Sequence, residues 1–243
     1  MPCWGIHLHI ANELNKKLNL EINQFLIGNV LPDIYSGWII NGASKIEKYE
    51  VSHSGRRTTL NKKIYTLPNI EKFEEENKSL FKENDLLLGY FSHILTDYFF
   101  NKYTFLNYYV KDEKSKTIGC YLKNGEFISA DVEEVKAYKH LDFSIFSNKK
   151  LQYFPEMKLQ ITENLIKKSK QIKTMEIFGN DLEITVEYLN QMILDKSEKT
   201  RNSKFVEYKI FTEEKLQEMT KECIEFVYNK VKDYAKKTSS IQN

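Results

Sequence analysis

Turn-forming residues are scarce in this chain. Nine Gly and four Pro are spread over 243 residues, too few for the many tight turns of a large sheet, so long helices are favoured. Cysteine is scarce as well. Cys3, Cys120 and Cys223 are odd in number and far apart, which excludes a disulfide framework and a CxxC metal knuckle and fits a reducing compartment. No apolar run approaches the roughly 18 residues of a membrane span. The first residues, MPCWGIHLHIANELNKK, have no basic region ahead of their apolar ones, unlike a secretory signal. The expectation is a soluble cytoplasmic protein. Neither charge is in large excess: 36 bases less 34 acids leave +2. With no basic block, nucleic acid is not a default partner.

What the chain does have is apolar and aromatic material, 41% and 13% of its residues, enough for a real core. It is richest in DLLLGYFSHILTDYFFNKY, Asp85 to Tyr103. A helix apolar nearly all the way round belongs in the middle of a fold. This one nonetheless carries His93 and Asp97, neighbours one turn apart. A buried carboxylate is costly unless a cation or several donors meet it. A metal, or a His–Asp hydrogen bond, would answer the pair. Gly89 on the same side leaves room for close approach by a neighbour.

Around that helix the chain reads as a single all-α, multihelical domain over 1–243. Ile6 to Leu18 is amphipathic. At about 100° per residue, His7 shares a face with Ile10, Ala11, Leu14 and Leu18, while His9 turns towards water. His7 could equally be a core histidine bonded to a backbone carbonyl. Leu20 to Ile27 is a second short helix, running into Gly28-Asn29-Val30-Leu31-Pro32-Asp33. Asp33 there sits on a rigid turn, as a site residue or as one bonding its own backbone. Residues 36–63 read as irregular and hold Ser52-His53-Ser54-Gly55, a histidine on a small-residue loop. Arg56 and Arg57 follow, either a phosphate contact or a solvated pair. Further helices are expected at Asn69–Leu80, from Asp131 (with Glu134, a capping box) towards His140, and at Glu156–Ile172, Asp181–Lys196 and Thr212–Lys237. A small β-hairpin is expected near 117–128 around Asn124-Gly125, and a frayed tail at Thr238–Asn243.

Four of the five histidines, His7, His9, His53 and His93, lie in the first 93 residues, with Asp33 and Asp97 among them. Imidazole plus carboxylate is the donor set of zinc and related divalent sites. The ordered segments WGIHLHIA, IGNVLPD, SHSG and LLGYFSHILTD resemble the zinc-dependent phospholipase C family of bacterial lecithinases and alpha-toxin-type enzymes. More distantly they resemble the fungal zinc nucleases. The resemblance covers roughly residues 1–105. It implies an all-helical fold and a site for zinc or another divalent metal, one or two ions. Asp33, His53, His93 and Asp97 would form one complete site. His7 would serve a second ion bridged by Asp97, and Asp33 would be the general base. The implied reaction is metal-assisted hydrolysis of a phosphate ester, on a small molecule or a phospholipid headgroup.

The departures from the family pattern are specific. Met1-Pro2-Cys3 precede Trp4, whose amino group is a metal ligand in the secreted enzymes. Tyr103 stands where the family has a further His, and Ser144 where a Glu follows the position of His140. A third metal site is therefore expected to be lost and the second depleted, unless Cys3, His9 or His140 substitutes. His140 and Asp142 read as a surface pair. The alternative is a non-catalytic helical binding module retaining one structural ion.

Overall fold

The computed structural model describes residues 2–198 and 207–235; the expected tail at 238–243 lies outside them. Nine α-helices stand among these residues: α1 (Trp4–Leu18), α2 (Ile22–Gly28), α3 (Tyr49–Ser52), α4 (Ile70–Asn77), α5 (Asp85–Asn107), α6 (Val132–Gln152), α7 (Glu163–Ser169), α8 (Gly179–Asp195) and α9 (Glu213–Ala235). A one-turn 3-10 helix spans Leu31–Asp33. None of the helices is long and apolar enough to cross a membrane.

The apolar rod is central, as its composition demands. Helix α5 packs against α1, α2, α4, α7 and α9, and every residue from Asp85 to Asp97 is buried. Asn84 caps its start through Leu87 N–H (3.0 Å), satisfying an otherwise orphaned donor. The helix runs four residues past Tyr103, to Asn107. The capping box at Asp131 and Glu134 forms as expected, and the helix it opens continues through His140 to Gln152.

The β content exceeds the single hairpin anticipated. Strands β4 (Thr117–Tyr121) and β5 (Phe127–Ser129) pair as expected around Asn124-Gly125, but β3 (Tyr109–Lys111) adds a third strand. Part of the stretch expected to be irregular is also a hairpin, β1 (Gly55–Leu60) with β2 (Lys63–Pro68). Its turn is Asn61-Lys62, both at positive φ (46° and 64°), the geometry that matches strand twist in two-residue turns. A lysine in place of the usual glycine hid it. The helix expected over Glu156–Ile172 shrinks to Glu163–Ser169. Met157, Leu159 and Ile161 alternate with polar neighbours, a period of two that an extended chain satisfies; Leu159 is the buried one.

Helix α2 reaches α5 at a glycine pair. A Cβ on Gly28 would lie 2.1 Å from the Leu86 carbonyl oxygen, and one on Gly89 2.3 Å from that of Phe25. The two backbones touch, which sets Asn29 and the turn to Asp33 directly against the polar side of α5. Because backbone cannot yield as a side chain can, Gly89→Ala is expected to cost on the order of 3 kcal/mol. Gly179→Ala, where an added Cβ meets nothing within 4 Å, should be neutral within about 0.5 kcal/mol. Denaturant midpoints of the two variants test this; equal midpoints would refute the close contact.

Candidate metal centre

Four segments deliver five side chains to one buried place. His7 comes from α1, Asp33 from the 3-10 turn, His53 from the residue ending α3, and His93 and Asp97 from α5. All five are at most 2% exposed. The helical phase separating His7 from His9 holds: His7 faces inward, while His9 lies half-buried beside Asn12, Glu13, Lys16 and Lys150.

His53 Nε2 lies 3.3 Å from His93 Nε2, 3.3 Å from Asp33 Oδ1 and 3.4 Å from Asp97 Oδ2. His93 Nε2 is 3.8 Å from Asp33 Oδ2 and 3.8 Å from Asp97 Oδ2. A tetrahedron with bonds of about 2.0–2.1 Å has edges of roughly 3.3–3.4 Å. The spacing is that of donors around an ion. On the other side, Asp97 Oδ1 lies 3.4 Å from His7 Nε2. Thus Asp97 turns Oδ1 towards His7 and Oδ2 towards His53 and His93. Two donor groups, His7–His93–Asp97 and Asp33–His53–His93, each have their ligand atoms mutually within 4.8 Å and share His93.

The surroundings fix the donors. His93 Nδ1 donates to the Asn29 carbonyl at 2.7 Å, so a neutral ring has its lone pair on Nε2, facing inward. His53 Nδ1 is bonded to the Ser52 hydroxyl (2.8 Å), and its ring stacks on Tyr49. The Trp4 indole N–H donates to Asp33 Oδ2 at 3.1 Å. The His7 ring lies flat on His93, centroids 3.9 Å apart and planes 6° from parallel. Inside, both nitrogens of His7, both oxygens of Asp97 and Asp33 Oδ1 are buried without a hydrogen-bond partner among the described residues. Imidazoles and carboxylates converging on one buried point with so many unpartnered atoms fit a cation, since buried polar groups otherwise find partners.

The charges agree. Burial alone would raise both aspartates, but the adjacent imidazoles outweigh it and hold Asp33 and Asp97 below the ordinary carboxylate range. Burial, with His7 alongside, pushes His93 down to about 3. At neutral pH the cluster is therefore anionic carboxylate around a neutral His93, the state that binds metal.

The residues considered as substitutes stand elsewhere. Among the described residues, neither donor group includes Cys3, His9 or His140. The Cys3 thiol lies against Ser144 Oγ and is pushed up by burial. His140 Nδ1 bonds the Ser144 hydroxyl (3.2 Å), and its ring packs on Trp38. Tyr103 sits beside Tyr108 and under Lys215. Asp142 is no surface residue: fully buried, it accepts from the backbone N–H groups of Lys209, Ile210 and Phe211 at 2.7–2.8 Å. Arg56 is exposed and pairs with Glu71 (3.1 Å).

Three contributors had little or no sequence signal. The Glu198 carboxylate receives the Trp4 and Gly5 backbone N–H groups and the Ser147 hydroxyl, capping α1 from across the chain. The Asn29 carbonyl is main chain. Tyr49 alone had a readable cue, one helical turn before His53.

Residues 6–174 match the family model described as zinc dependent phospholipase C, well over half of the chain. Neither a curated protein nor a solved structure matches it.

Metal-free protein should lose stability on mild acidification. His93 and His9 titrate at about 3 and about 4 in the fold, His9 lowered chiefly by burial, but near 6.5 when unfolded. Between pH 6.5 and 4 the unfolded chain binds more protons, so unfolding free energy falls by roughly 1–2 kcal/mol per pH unit. Asp33 and Asp97, with lowered values, contribute stability that is lost only below about pH 4. Denaturant titrations of chelator-treated protein at pH 7, 5.5 and 4.5 check this; a flat profile would contradict neutral burial of His93.

Proposed function

The chain belongs to the zinc-dependent phospholipase C family, and from that membership and the donor geometry we propose that it hydrolyses a phosphate ester using one or two divalent ions, zinc foremost. Asp33, His53, His93 and Asp97 would hold one ion, and His7 with Asp97 the other. The convergence of unpartnered donors on one buried point carries this reading. A bound divalent ion supplies Lewis-acid charge to the phosphate and an acidified water.

The chain's own groups do the rest. The Asn29 carbonyl and the Ser52 hydroxyl orient His93 and His53, so that neither ring must turn during the reaction. Asp33 is ionised at neutral pH and keeps Oδ1 without a hydrogen-bond partner among the described residues. As general base it would take the proton of the attacking water there, while Trp4 holds Oδ2. Asp97, also ionised, turns Oδ1 towards His7 and Oδ2 towards His53 and would help to hold the metal. The substrate is a phospholipid headgroup or another phosphate ester.

One observation favours a second reading. Asp97 Oδ2 lies 3.4 Å from His53 Nε2, beside the Asp33–His53–His93 group; were all four to hold one ion they would make a closed set, the mark of a structural ion, and only the His7–Asp97 side would leave positions open. A non-catalytic binding module with one structural ion would have the first group and make no use of the second.

Elemental analysis of protein purified without added metal, with hydrolysis of bis(p-nitrophenyl) phosphate before and after chelation, separates the readings. The proposal expects at least one divalent ion per chain and turnover abolished by chelator. Asp97→Asn should lower metal content and reduce kcat/KM by about 100-fold or more. One firmly held ion with no turnover on any phosphate ester would favour the binding module, and a protein that takes up no metal would sink both.

A further inference from the structure

Beside the metal centre lies a cavity of about 570 Å³ walled by Trp38, Tyr49, Tyr65, Phe105, Tyr109 and Lys139, among others. It adjoins the centre through two of its lining residues. Tyr49 stacks on His53, ring centroids 4.3 Å apart, and Asn101 sits one helical turn beyond Asp97 on α5. Its lining is positive: Lys111, Lys136 and Lys139 stand against a single lining carboxylate, Glu50, with Lys136 paired to Glu133 at 2.8 Å outside it.

Lys139 is the unusual member. It is only 7% exposed, and its Nζ donates to Asn101 Oδ1 at 3.2 Å. Among the described residues no carboxylate forms an ion pair with it, and burial pushes its ammonium down to about 8 against the opposing pull of the Asp97 charge. A buried cation facing a neutral amide retains a large unmet demand for negative charge. Tyr49 adds a second donor. Its hydroxyl is buried without a hydrogen-bond partner among the described residues.

The aromatic walls narrow the choice of ligand. Aromatic faces ordinarily hold quaternary ammonium groups, but here the chain's own cations already lie against three of the rings. Lys139 Nζ lies 5.6 Å from the Phe105 ring centroid and 5.9 Å from that of Tyr109, and Lys111 Nζ lies 4.3 Å from that of Tyr65. Trp38 meets His140 edge-on, and Tyr49 is stacked on His53. A positively charged headgroup seated on these rings would meet two ammonium groups.

We propose that Lys139, with Tyr49, binds the phosphate of the substrate in this cavity, and that the cavity selects esters whose alcohol is neutral or anionic over those bearing a quaternary ammonium. The inference deepens the phosphate-ester reading and rests on it for the chemistry, but the lysine's affinity for phosphate exists without metal.

The test is calorimetric titration of inorganic phosphate, glycerol 3-phosphate and phosphocholine into the full chain, metal-loaded and chelator-stripped, with Lys139→Met and Lys139→Arg alongside. Metal content and unfolding midpoint verify that each variant is folded and loaded. The wild-type protein should bind glycerol 3-phosphate at least about ten-fold tighter than phosphocholine. Lys139→Met should weaken phosphate and glycerol 3-phosphate by about ten-fold or more, in loaded and stripped protein alike, and bring the ratio towards one. Lys139→Arg should retain most of the affinity. Phosphocholine binding as tightly as glycerol 3-phosphate in the wild type would overturn the proposal even if Lys139→Met failed to fold. Phosphate binding that depends on metal but not on Lys139 would also overturn it, while leaving the metal-centre reading intact. A protein that takes up no metal but binds phosphate through Lys139 would do the reverse.

Discussion

The Asp97 carboxylate is fully buried, ionised and without a hydrogen bond to either oxygen among the described residues. Left so, it would be among the costliest groups a core can hold. Three imidazoles stand within 4 Å of it, yet His93 presents a lone pair rather than a proton. A positive charge at the common point resolves the arrangement, and the rest of the fold can be understood as what brings that point into being. Helix α5 is apolar nearly all round because it must be central. It is central because Asp97 needs walls on every side.

Those walls reach the site by unlike means. Contact between Gly28 and Gly89 sets α2 on α5 closely enough for the Asn29 carbonyl to fix the His93 tautomer. The same approach carries the turn that presents Asp33, which Trp4 then pins. Helix α1 is held from its start by Glu198 and lays His7 flat on His93. The single turn of α3 brings Tyr49 under His53. Beyond it a lysine-bearing cavity opens, so the groups that orient the donors also shape the space where a phosphate would sit.

Much of this was readable where one periodicity dominates. Helical phase separates His7 from His9, four-residue spacing pairs His93 with Asp97, and near-continuous apolarity marks α5 as central; the structure gathers the five expected residues in one place. Reading failed where local pattern was masked or absent. The β1–β2 turn uses Asn61-Lys62 rather than a glycine, and the alternation through Met157, Leu159 and Ile161 was taken for helix. Asp142, which looks like a surface residue beside His140, gathers three backbone N–H groups from a segment nearly 70 residues away. Glu198 and Lys139 act through contacts that no local spacing announces. Their chemistry appears only once the helices are packed.

The central claim is that the His/Asp cluster is a metal centre. The most direct test is a crystal structure of the protein as purified, with anomalous diffraction recorded on both sides of the zinc edge. The account predicts a peak about 2.0–2.2 Å from His53 Nε2, His93 Nε2 and a carboxylate oxygen of each of Asp33 and Asp97, and allows a second beside His7. A peak-free cluster in which the imidazoles donate protons to Asp33 and Asp97 would contradict it.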